Sequence, residues 1–114
     1  MIRRLIVAAS AALLLTTGAA QAQIAGGCPG GQMDSLPSET PVRITFRNAT
    51  EQMLTAFWID FDGVRQRYAD IPAGGSWQSK TYDGHVWAFV TEHGLCVAQH
   101  EVMQGERRYT IRPN

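Results

Sequence analysis

The sequence predicts an all-β protein, a seven-stranded antiparallel β-sandwich. Three observations carry the prediction. Apolar and polar residues alternate with period two in short runs through residues 41–114. The runs recur every ten residues or so, punctuated by Gly, Pro, Asn and Asp, as in small sandwiches. No window beyond the N-terminal segment carries the 3.6-residue periodicity of an amphipathic helix.

In the first strand Val42, Ile44 and Phe46 alternate with Arg43, Thr45 and Arg47, which gives it one wet face. The second, about residues 53–60, sets Leu54, Ala56 and Trp58 on one side and Phe57 and Ile59, continued by Phe61, on the other, so both of its faces are apolar. Asp62 and Gly63 suit a tight hairpin leading into a short third strand over 64–68. Pro72, Gly74 and Gly75 form the next turn. Strands over 76–82 and 85–91 then meet around Asp83 and Gly84, and the last two cover about 95–100 and 107–112.

The N-terminus reads differently. Arg3 and Arg4 precede an apolar run from Leu5 to Leu15, and the segment closes on Ala20-Gln21-Ala22. That pattern is a secretory signal peptide over residues 1–22, its apolar stretch too short to span a bilayer. The expected location is periplasmic or secreted. Residues 23–40, rich in Gly, Pro, Ser and Gln, read as a flexible leader with too little apolar surface to offset the entropy of ordering it, pinned to the domain by Cys28. A single domain follows over 41–114.

Cleavage removes Arg3 and Arg4 from ten Lys and Arg, leaving eight against ten Asp and Glu. With a mildly acidic chain and no basic stripe visible in the sequence, nucleic acid and membrane surfaces are poor partners. In an oxidising compartment Cys28 and Cys96 read as one disulfide. Two alternatives stand beside it: lipid modification of Cys28, and a metal cluster of His93, Cys96 and His100. The first lacks a large aliphatic residue three positions upstream, and the second has three ligands at no standard spacing.

No nucleophile, base and orienting group form a recognisable catalytic set, so the chain reads as a binding protein without a cofactor rather than an enzyme. Asp60 and Asp62 bracket Phe61 and lack the oxygen-rich continuation of a calcium loop, which leaves a hairpin turn. The strand over 85–91 is split, with His85 and Trp87 on one face and Val86, Ala88 and Val90 on the other. Alternation permits Trp58 and Trp87 to share a face. Two readings stay open here: both tryptophans are core with His85 a structural histidine, or they line a site.

Three linked strings add a resemblance. Trp58-Ile59-Asp60-Phe61-Asp62-Gly63, then Tyr68 with Pro72 and Gly74, then Tyr82-Asp83-Gly84-His85-Val86-Trp87 resemble the von Hippel-Lindau β domain, without gaps from about Ile44 to Phe89. The resemblance implies a seven-stranded sandwich. It also implies a pocket for 4-hydroxyproline in an extended peptide, built here from Trp58, Tyr68, Thr81, His85 and Trp87. In that resemblance Thr81 and His85 bond the ring hydroxyl, Tyr68 holds the peptide carbonyl, and the tryptophans pack on the pyrrolidine. Thr81 stands where the family has a serine, and Lys80 where it has a peptide-contacting histidine. No helical segment follows the sandwich, so the α domain that recruits elongin C, and with it ubiquitin ligation, is not expected. The expected partner is a protein or peptide, hydroxyproline-containing or proline-rich.

Overall fold

The structure, a computed structural model, describes residues 27–113. The signal segment expected over 1–22 and residues 23–26 of the leader lie outside the described residues. Seven strands are present: β1 (Pro41–Asn48), β2 (Leu54–Ile59), β3 (Arg65–Ile71), β4 (Ser76–Tyr82), β5 (Val86–Thr91), β6 (Cys96–Glu101) and β7 (Arg108–Ile111). They form two sheets, ordered β4-β1-β7 and β3-β2-β5-β6. One pairing departs from the antiparallel expectation, because β7 runs parallel to β1, with Thr45 opposite Arg108 and Asn48 opposite Ile111. Period-two patterning reports which face a residue takes and is blind to strand direction.

The inner faces supply the alternating apolar residues. Val42, Ile44 and Phe46 of β1 meet Leu54 and Ala56 of β2 and Trp87 and Phe89 of β5 in the main core. Phe46 lies at its centre, with ring centroids 5.0 Å from Phe89 and 5.7 Å from Trp87. Asn48 is fully buried and satisfied: its amide donates to the carbonyls of Gln52 and Ile71, and its Oδ1 accepts from the backbone and hydroxyl of Thr50. This network sets the chain's path from β1 into β2.

The second apolar face of β2 and β5 also finds cover. Ile59, Val86, Ala88, Val90 and Cys96 form a smaller cluster, against which Cys28, Met33 and Phe57 pack. Residues 27–40, the part of the leader that the structure describes, are laid as a strap across the outside of the four-stranded sheet. The Cys28–Cys96 disulfide ties one end. Ser35 Oγ, buried, accepts from the Val86 amide at 2.7 Å, and the Leu36 amide donates to the Gly84 carbonyl. Beyond the disulfide the strap's contacts are few and long-range, which composition does not report.

Two β-bulges reset the alternation. In β3, Ala69 faces Ala56 and Arg67 faces Phe57, so Tyr68 is the extra residue. In β6, Ala98 faces Phe89 and Cys96 faces Val90, so Val97 is extra. The second bulge turns Cys96 to the outer face, within reach of Cys28, while Val97 packs in the main core. The first explains why β3 extends to Ile71 rather than ending near Tyr68: alternation reverses at Tyr68 while pairing with β2 continues.

Candidate functional site

The two sheets part where their edge strands β3 and β4 run side by side, and a cavity of about 190 Å³ opens in the seam. It is lined by Trp58, Tyr68, Thr81, His85 and Trp87, drawn from four strands and a turn, together with Lys80 and Tyr82. All five residues singled out in the sequence are thus brought together. The volume falls below the range typical of drug-sized sites and suits one side chain or one small ring.

Each side chain has a local cause. Trp58 and Trp87 are cross-strand partners on the inner face of β2 and β5, as alternation allowed. Trp87 is buried and also borders the main core, so it packs and lines the cavity at once. Tyr68 is more than half exposed, and the bulge in β3 brings its ring to 5.0 Å from that of Trp87 in an edge-on arrangement. Without that extra residue, alternation would leave Tyr68 opposite Phe57 on the far side of the sheet.

His85 stands on the turn between β4 and β5. Gly84, at φ +83°, takes a left-handed conformation there that a side chain would strain. The His85 amide donates to the Tyr82 carbonyl and its own carbonyl accepts from Val102, which fixes the backbone. Its imidazole stacks on Trp58 at 5.4 Å and contacts Tyr82 and Phe61. Burial lowers its pKa below the ordinary histidine value of 6.5, so the ring is neutral at physiological pH.

Thr81 is buried, and its hydroxyl oxygen accepts the Trp87 indole N–H at 3.1 Å. Accepting there leaves the Thr81 proton free to donate into the cavity. The floor therefore presents one hydroxyl donor and one neutral imidazole, walled by indole and phenol rings. Trp58 Nε1 is buried without a hydrogen-bond partner among the described residues. A buried donor of this kind costs about 1–3 kcal/mol unless a water or ligand atom meets it.

Tyr82 and Phe61 also touch the site, although alternation gave no reason to single them out. Tyr82 lines the cavity and contacts His85. Phe61, half exposed on the β2–β3 turn, sets its ring edge-on to both Trp58 and His85. The third tryptophan, Trp77, backs the rings of Tyr68 and Trp87.

The competing readings of the cysteines and carboxylates resolve. Cys28 and Cys96 are joined, so neither is available for lipidation or as a thiolate ligand, and His100 is engaged by Glu106 at 2.8 Å. Asp60 accepts from the backbone of Val64 and Asp62 and from the Gln66 side chain. These bonds, that from Val64 foremost, hold its pKa below the ordinary carboxylate value and make it the organiser of a hairpin turn. The disulfide is consistent with an extracellular or periplasmic location.

The seven-stranded sandwich is the fold that the resemblance implied. Residues 33–108 match the family model described as VHL beta domain, a protein-interaction and substrate-recognition unit. That span covers well over half of the chain, and the protein belongs to the von Hippel-Lindau β domain family.

Proposed function

We propose that this protein is an exported peptide-recognition module that takes a 4-hydroxyproline, in an extended segment, into the cavity between β3 and β4. The observation that carries the reading is the polarity of the floor. Thr81, already accepting from Trp87, has its proton to give to a ligand hydroxyl oxygen, and neutral His85 can accept that hydroxyl's proton. A ring hydroxyl would satisfy both. Plain proline would leave two buried polar groups unpaired, at about 1–3 kcal/mol each, so selectivity follows from desolvation rather than shape.

Affinity would come from aromatic area, with the pyrrolidine between Trp58 and Trp87 and the Tyr68 hydroxyl at the rim for a peptide carbonyl. β4 borders the cavity and is an edge strand. Its residues at Gln78 and Lys80 alternate with those bonded to β1, so their main-chain groups face outward and can pair with an extended ligand. The signal-like N-terminus and the disulfide support export.

The test is calorimetric titration of matched peptides containing proline or 4-hydroxyproline. The hydroxylated peptide should bind at least about tenfold more tightly, and His85→Ala should abolish the difference. Equal or absent binding of the two peptides, with His85→Ala without effect, rules the reading out.

A further inference from the structure

The described strands divide their charges unevenly. β1, β4 and β7 contain Arg43, Arg47, Lys80 and Arg108 and no carboxylate at all. All four are exposed, while Val42, Ile44, Ser79, Thr81 and Ile111 of the same strands are buried. The three-stranded sheet thus turns a cationic outer face to solvent. A chain of balanced composition, in which no basic stripe is visible, gathers one because alternation sends every second residue of three strands to the same side.

Two features of this face are costly in isolation. Arg43 and Lys80 are direct cross-strand partners, and neither charged side chain has a hydrogen-bonding or ionic partner among the described residues. Like charges placed opposite each other destabilise a sheet, the more so where side chains approach closely in a pair without mutual backbone bonds. Arg43 stands in such a pair: the Thr45 amide donates away from β4, to the Arg107 carbonyl, and Arg43, two residues earlier, faces the same way.

The same geometry exposes main chain. Pairing of β1 with β7 begins only at Thr45 and Arg108, so the N–H and C=O of Arg43 lie on an open strand edge. Beside that edge lies a groove of about 540 Å³, bounded by Arg43, Thr45 and Gln78 on one side and Gly105, Arg107 and Arg108 on the other. Glu106 also borders it, but its carboxylate is taken up by His100 and the Met103 amide.

We infer that this groove is a second docking site, separate from the aromatic cavity, for an extended acidic polypeptide. The ligand adds as a short strand to β1 at Arg43, and its carboxylates neutralise Arg43, Arg107 and Arg108 and relieve the Arg43–Lys80 repulsion. A polypeptide fits better than a nucleic acid. The open edge offers a donor and an acceptor in strand geometry, and none of the residues lining the groove carries an aromatic ring on which a base could stack.

The experiment titrates the full folded chain with a short synthetic peptide alternating Glu and Thr, the matching Gln and Thr peptide, and a thymine oligonucleotide of equal charge. Backbone amide shifts are followed by NMR. The Glu peptide should bind, weaken as salt rises, and shift and protect the Arg43 amide, with the Gln peptide at least about tenfold weaker. Arg43→Gln should reduce affinity roughly fivefold or more while leaving stability equal or raised, since it removes a like-charge contact. Arg108→Gln, on the neighbouring strand, gives a second reading of affinity. Failure of the Glu peptide to bind, equal binding of the Gln peptide, or tighter binding of the oligonucleotide without protection of the Arg43 amide would overturn the inference. Hydroxyproline binding is read at different residues and stands or falls separately.

Discussion

Replacing Thr81 by valine separates packing from polarity at the floor of the cavity. Valine keeps the branched shape and puts a second methyl group in place of the hydroxyl, which is buried and accepts the Trp87 indole N–H at 3.1 Å. Trp87 is itself buried, so its N–H has no route to solvent and becomes an unsatisfied donor. That state costs about 1–3 kcal/mol, partly offset by no longer burying a hydroxyl, for a net loss of about 1–2 kcal/mol. At the slope of roughly 1–2 kcal/mol per molar urea expected for a small domain, the unfolding midpoint should fall by about 1 M with the slope unchanged. Thr81→Ser should recover most of it. Selectivity reports the second half of the reasoning: Thr81→Val should bring the hydroxylated and plain proline peptides to within about threefold of each other, and Thr81→Ser should keep them apart. An unchanged midpoint in Thr81→Val would refute the indole–hydroxyl bond. A retained preference for the hydroxylated peptide would refute Thr81 as its reader.

Three further outcomes follow from other contacts. Cys28→Ser combined with Cys96→Ser opens a covalent loop spanning 68 residues, which the chain-entropy relation values at about 4 kcal/mol, and equilibrium denaturation should show most of that loss. Asn48→Ala strips four hydrogen bonds from a fully buried position and should cost about 2–4 kcal/mol, read as a fall in thermal midpoint; a loss under about 0.5 kcal/mol would show that the network adds nothing. The lowered pKa of His85 means that protons favour the unfolded chain, so its contribution to stability is full above 6.5 and is lost as pH falls from there through the lowered folded-state value. Affinity for a ligand hydroxyl should likewise hold through neutral pH and drop on acidification, and affinity that rises in acid would contradict a neutral acceptor.

Much of this was legible in the residues alone. The positions of the strands came from alternation and turn residues, with boundaries within one position of those observed except at the end of β3, which runs three residues further. Alternation permits Trp58 and Trp87 to share a face, and the register of β2 on β5 makes them partners. Four of the five residues that line one cavity lie in the three short strings of the resemblance, and Thr81 stands one position before the third.

What the linear sequence determined, then, is the set of local preferences: which residues alternate, where the chain turns, and that two cysteines exist to be joined. Tertiary structure decided everything that depends on register or on the meeting of distant strands. One extra residue at Tyr68 moves a phenol into the cavity, and another at Val97 turns Cys96 toward its partner, yet neither bulge leaves a signal in composition. The parallel seating of β7 leaves half of β1 open, and the division of strands between sheets gathers four cations on one face. The physical reason is that pairing free energy belongs to two strands at once: a one-residue slip sends a side chain to the other face, and only the packed whole determines which slip is cheapest.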